Sequence, residues 1–199
     1  DSGAKRVFIS RNAKDTIDRY VIPGINASSI KSSDKIISTT SSTTQVLALM
    51  VKMLDESFGL NRAMMTTVHA YTADQPLADA AGVDLRRSRS AVENIIPNTT
   101  LAPSIVESLM PQFSGKLDGI AFNVPVPNGS CVDLTTELEN TPSVDKANDA
   151  IKNFSKGSLE GIVGYTEDPI VSSDVIGRKE TMVFDQKATM ITNDELLKT

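Results

Sequence analysis

The 199 residues predict an α+β domain: a mixed, largely antiparallel sheet covered by helices on one face. Many short β-rich runs are joined by only three helical stretches. Several of those runs alternate apolar and polar residues at period two, and no internal repeat or low-complexity tract breaks the pattern.

Along the chain, residues 4–10 predict a short buried strand and residues 20–24 a second. From Thr43 onward the period changes. Val46, Met50, Met53 and Leu54 share one helical face and the pattern stops near Phe58-Gly59, so a helix runs out of the turn at Ser42. Strands are expected at 62–71, 119–126, 130–138, 162–165, 170–173, 180–185 and 189–191, with helices near 103–109 and 143–155. Ser143 suits the N-cap and Gly157 the C-cap of the last helix. Periodicity fades between Tyr71 and Asn94, and a loop of that length inside a compact domain is functional or disordered.

Composition narrows the function classes. With 40% hydrophobic and 23% charged residues, and no apolar run near the roughly 18 residues of a membrane span, the chain reads as a globular domain with no membrane segment. Its polar first residues predict no secretory leader. A net charge of -5 opposes a nucleic-acid surface, which needs a basic face. Arg86, Arg87 and Arg89 form the one basic cluster and read as a solvated or salt-bridged loop. The single cysteine excludes an internal disulfide and fits a reducing cytoplasm. Cys131 itself lies in an alternating strand, where nothing nearby in sequence favours a thiolate, and reads as a structural, poorly reactive thiol.

Two stretches carry chemistry: Ile36-Ile37-Ser38-Thr39-Thr40-Ser41-Ser42-Thr43-Thr44-Gln45 and Thr66-Thr67-Val68-His69-Ala70-Tyr71-Thr72-Ala73-Asp74-Gln75. Their spacing resembles the catalytic domain of glyceraldehyde-3-phosphate dehydrogenases, where a strand ends in S-C-T-T-N, a helix follows, and a later strand delivers T-T-V-H-A-x-T-x-x-Q. The similarity continues through Asp84-Leu85-Arg86-Arg87-Ser88-Arg89, Asn94-Ile95-Ile96-Pro97, Gly115-Lys116-Leu117-Asp118-Gly119, Asn123-Val124-Pro125, Val132-Asp133-Leu134-Thr135 and Gly161-Ile162-Val163-Gly164-Tyr165-Thr166-Glu167.

The resemblance implies a parent activity: NAD-dependent, phosphorylating oxidation of a phosphorylated aldehyde, triose or tetrose, in glycolysis or beside it. It further implies that residues 1–41 are a remnant of the nucleotide-binding domain and connection. Residues 42–199 would be the catalytic and oligomerisation domain, ending before the family's W-Y-D-N-E-x-G-Y strand and C-terminal helix. The loop after Tyr71 would be the S-shaped loop that packs between subunits, making the chain a homo-oligomer or a partner of family subunits in the cytoplasm.

The resemblance also locates the departures. Ser42 stands at the position of the cysteine nucleophile, Gln45 at the asparagine, and His69 at the histidine base. Ser41, Thr43, Thr72, Asp74, Thr100 and Asn123 fall at or beside positions that contact substrate phosphate or inorganic phosphate. Asn123 takes the place of an arginine whose fork grips phosphate, and Leu101 that of a glycine. No G-x-G-x-x-G occurs, so no NAD is expected to bind this chain alone. No metal site is expected.

Three readings of Ser42 stand together. Ser42-Thr43-Thr44-Gln45 has capping-box spacing, with serine at the N-cap. Ser42 and His69 could form a weak Ser-His esterase, although the sequence places no carboxylate to orient the imidazole. A deliberate inactivating change from cysteine is the third. With thiol, arginine and glycine all replaced, the expectation is a catalytic-domain fragment or degenerate relative, a pseudoenzyme as it stands. The rival from another class is a non-enzymatic assembly or regulatory module.

Overall fold

The computed structural model describes residues 3–193 and 195–199; residues 1 and 2 of the expected first segment lie outside them. Near the N-terminus are β1 (Val7–Ile9), β2 (Arg19–Tyr20) and β3 (Ile36–Ser38), which form a three-stranded parallel sheet in the order β1-β3-β2. The sheet is held at one end by Asp34, which is buried beneath it. Arg19 donates Nε to Asp34 Oδ2 at 2.6 Å, and the Lys31 amide donates to the same oxygen at 2.8 Å.

Those donors, Arg19 first, hold the Asp34 carboxyl down to about 2 from its ordinary 3.8. A carboxylate with a depressed folded-state pKa stabilises the fold above about pH 4 and loses that contribution as pH falls toward 2. Asp34→Asn is therefore expected to lower the urea midpoint at neutral pH. Its deficit relative to the parent should shrink as pH is lowered from about 4 toward about 2; a deficit constant across that window would contradict the assignment.

The chain then enters α1 (Ser42–Phe58) and β4 (Leu60–Ala70), separated by Gly59 at φ 72°. Glycine tolerates that left-handed conformation, and its N–H closes on the Asp55 carbonyl at 2.9 Å. After the long loop come β5 (Ile96–Asn98), α2 (Ala102–Leu109), β6 (Leu117–Val124), β7 (Cys131–Leu138) and α3 (Val144–Lys156). The remaining strands are β8 (Val163–Thr166), β9 (Met182–Asp185), β10 (Met190–Thr192) and β11 (Leu196–Lys198).

The six-stranded sheet runs β10-β11-β7-β4-β6-β5, with four antiparallel pairings and one parallel pairing, β4 with β6. This is the mixed, largely antiparallel α+β sheet that the sequence predicts. Alternation explains which face is covered. Ala63 and Met65 of β4, Leu117 of β6 and Leu134 of β7 are buried under Leu47, Met50, Met53 and Leu54 of α1. Met64 and Ile120, one step out of phase, are 56% and 38% exposed on the other face. Helix α2 packs beside α1 and on β6, while α3 packs on α1 and on the small parallel β8-β9 sheet.

Ser143 caps α3 by accepting from the Lys146 amide at 3.3 Å, and Gly157 follows its last turn. Four local expectations change. The first strand, expected to be buried, leaves Val7 47% and Phe8 56% exposed. Residues 170–173 are no strand; a 3-10 turn covers Ser172–Val175, closed by Asp174 Oδ2 accepting from the Val171 amide at 2.7 Å. The short strands β5 and β11 stand where no strand was expected, paired into the sheet by β6 and β7. Finally, α1 is capped one residue earlier than its capping-box spacing suggests. Ser41 is the N-cap, its Oγ accepting from the Thr44 amide at 3.2 Å, while Gln45 Nε2 donates to the Thr39 carbonyl at 2.8 Å.

Candidate functional site

The parallel neighbours β4 and β6 end side by side, and the N-terminus of α1 rises beside them. His69 and Asn123 are register partners at that end. The sequence turns sharply to bring Ser42 there. Ser38 Oγ donates to the Arg11 carbonyl at 2.6 Å and accepts from the Thr40 amide at 3.0 Å. Thr40 takes φ 64°, a left-handed conformation that costs a non-glycine residue roughly 1–2 kcal/mol. Asn12 Oδ1 accepts from the Ser41 amide at 2.9 Å, the donor a capping-box glutamine would have served. Ser42 is thereby left in the first turn of α1, exposed.

Ser42, Thr43 and His69 line one cavity of about 780 Å³. Val46 and Met50 of α1 and Thr67 of β4 line it too, and further walls come from far along the chain: Val132 and Leu134 of β7, Met182 and Phe184 of β9, and Val175 and Arg178 from the segment between β8 and β9. Arg178 is paired with Glu180 at 2.9 Å, which holds the Glu180 carboxyl down to about 2. Cys131 also lies at this cavity and is exposed, in the strand expected for it.

His69 Nδ1 lies 2.7 Å from the Ala70 carbonyl oxygen. A carbonyl only accepts, so the neutral ring carries its proton on Nδ1 and keeps Nε2 as an acceptor. Ser42 could give up its proton only to such a base. A backbone carbonyl, however, orients the imidazole without the negative charge that a carboxylate would offer the imidazolium. The arrangement thus sets, at one cavity, an imidazole whose Nε2 can accept a proton and a hydroxyl, which ionises far less readily than a thiol.

The other predicted residues fall into local clusters. Thr72 Oγ1 donates to Asp74 Oδ1 at 2.5 Å, and Arg87 is ion-paired with Asp74 Oδ2. The Thr72 hydrogen bond first, and the Arg87 charge after it, hold the Asp74 carboxyl below its ordinary range. Arg89 pairs with Asp79 at 3.0 Å, so two of the three arginines of the basic cluster are salt-bridged within the loop. Thr100 Oγ1 accepts from the Ala102 amide at 3.2 Å at the start of α2, next to Leu101, which is 62% exposed. Ser41 is engaged as the cap of α1. Asn123 is 6% exposed; its Nδ2 donates to the Ala70 carbonyl and its Oδ1 accepts from Asn98 Nδ2, both at 3.3 Å. Asn12, Asn98 and the distant cavity wall escape sequence reasoning, because hydrogen bonds across 25 or more residues leave no local pattern.

The family model for the glyceraldehyde 3-phosphate dehydrogenase C-terminal domain matches residues 41–199, beginning at the Ser41 cap. The chain belongs to the glyceraldehyde 3-phosphate dehydrogenase family. It is 45% identical over 195 residues to a glyceraldehyde-3-phosphate dehydrogenase of Mycobacterium bovis, a match covering 98% of this chain and 57% of that protein. It is 46% identical over 198 residues to that of Streptomyces coelicolor, covering 98% and 59%, and 42% identical over 199 residues to that of Priestia megaterium, covering 100% and 59%. The chain therefore spans somewhat over half the length of these relatives. Among the described residues, no helix is long and apolar enough to cross a membrane, and no cluster of histidine, cysteine and acidic residues could hold a metal ion.

NAD, the family's cofactor, does not fit the residues of the N-terminal sheet. A dinucleotide pyrophosphate sits on a helix N-terminus behind a glycine-rich turn. Between β1 and β3 the only helical turn is the 3-10 turn Ala27–Ser29, and no G-x-G-x-x-G occurs in the sequence.

Proposed function

We propose that this chain is the catalytic domain of a cytoplasmic dehydrogenase of this family, keeping the site's geometry without its thiol and inactive in aldehyde oxidation by itself. The observation that carries the reading is Ser42, placed on the first turn of α1 against the cavity that His69 also lines. An acyl-transfer route through a thiohemiacetal and thioester needs a thiolate, and a serine hydroxyl supplies none. From the family resemblance we assign the phosphates of a phosphorylated aldehyde and inorganic phosphate to the neighbourhood of Ser41, Thr43, Thr72, Asp74, Thr100 and Asn123. We read the parallel β1-β3-β2 sheet as the end of the nucleotide-binding domain.

The test has two parts. Absorbance at the NADH band should not rise when the chain is mixed with glyceraldehyde 3-phosphate, inorganic phosphate and NAD; turnover would refute the reading. Calorimetric titration should show no NAD binding tighter than about 100 µM, roughly -5.5 kcal/mol.

A reading as an assembly module draws on the exposed sheet face with Met64 and Ile120, and on Leu77, Val83 and Leu85 of the long loop, all exposed. Sedimentation should then give a mass above that of one chain, and mixing with an intact family dehydrogenase should give mixed oligomers. A strictly monomeric mass at high concentration would exclude it.

A further inference from the structure

We infer that Asn123, seated by Asn98, is a positioning residue for His69. The Ala70 carbonyl sits at the end of β4, one residue beyond the imidazole, and receives two donors: His69 Nδ1 at 2.7 Å and Asn123 Nδ2 at 3.3 Å. A carbonyl oxygen has two lone pairs, so both bonds can form together. Asn123 holds the peptide plane from the β6 side while Asn98, on β5, fixes the Asn123 carboxamide by donating to its Oδ1. A chain of side chains across three strands thus ends on the imidazole. It selects the ring form with Nδ1 protonated and Nε2 bare, the form that can accept a proton from residue 42.

The arrangement is more specific than burial alone requires. A 6% exposed carboxamide needs partners, and any partners would satisfy it. Here one of them is the atom that orients the histidine, and the register puts Asn123 directly beside His69 on the helix-covered face of the sheet. The inference rests on reading His69 as the base of the site, and it assigns Asn123 a role on the protein side of that base.

His69 is the only histidine in the chain, so labelling histidine with 15N gives one pair of ring nitrogens. At a pH where the ring is neutral, the parent protein should show Nδ1 protonated and Nε2 bare. Asn123→Leu keeps similar bulk and removes the donor. It should let the two tautomers average and, in a Ser42→Cys background, slow alkylation of the introduced thiol by about three- to tenfold, the worth of one hydrogen bond.

A ring that stays in the Nδ1–H form in folded Asn123→Leu would overturn the inference, whether or not alkylation slows. An Nε2–H ring in the parent would overturn it as well. Should Asn123→Leu fail to fold, Asn98→Ala on the half-buried edge strand decides by the same signals: partial averaging supports the role and an unchanged ring removes it. Tautomer signals do not depend on turnover, so dehydrogenase activity in the parent chain would refute the proposed function and leave this result standing.

Discussion

Ser42→Cys is expected to give a thiol that iodoacetamide alkylates at least about tenfold faster than Cys131 in the same molecule. The two positions form an internal comparison. Both are exposed and both line the same cavity, so access does not separate them. Position 42 adds the N-terminus of a 17-residue helix, whose dipole favours an anion by about 0.3–1 kcal/mol, and a histidine at the same cavity. Cys131 opens a strand and has no helix end behind it. One decade in rate corresponds to about 1.4 kcal/mol, so the expected tenfold needs the histidine as well as the helix end.

The same variant should not oxidise an aldehyde, even with NAD in excess. Dehydrogenase turnover by Ser42→Cys would mean that an intact enzyme had been silenced by one atom. A thiol at position 42 no faster than Cys131 would mean that the helix end and His69 do not act on residue 42.

Leu54→Ala should lower the unfolding free energy by about 3–5 kcal/mol, the upper part of the range for large-to-small core changes. Leu54 has no exposed surface, and α1 around it is enclosed by β4 and β7 beneath, α2 beside it and α3 beyond. Neighbours held by four elements cannot collapse into the space left, so the loss of transferred surface and the cavity add. Domains are stable by only about 5–15 kcal/mol, so this one change consumes a large part of the margin. A urea midpoint shift equivalent to less than about 1.5 kcal/mol, with unchanged slope, would show that the core around α1 is looser than its burial indicates.

Helices and long strands were legible because their signals are local. Three or four apolar positions per two turns predicted α1, and period-two alternation predicted β4, β6 and β7 to within a few residues. Strands β5 and β11 have three residues each, too few for a period, and owe their conformation to the neighbours that pair with them. The stretch at 170–173 has the apolar residues of a strand, yet Asp174 accepts from the Val171 amide and closes a turn there. The N-cap of α1 is Ser41 and not Ser42 because Thr40 takes the left-handed turn and Asn12, 29 residues before Ser41, claims the Ser41 amide.

The sequence by itself determined which groups this protein has to work with: a hydroxyl at position 42, one histidine, one cysteine, a carboxamide at position 123 and a salt-bridge-ready arginine cluster. Only the tertiary structure decided where each is spent. It aimed Asn123 at the Ala70 carbonyl, tied Arg87 to Asp74, and walled the cavity of Ser42 and His69 with β7, β9 and the segment before β9. The physical reason is range. Residue chemistry and helical or strand period are properties of neighbours along the chain, whereas a hydrogen-bond partner is chosen only when packing of the sheet brings distant backbone and side chains within about 3 Å.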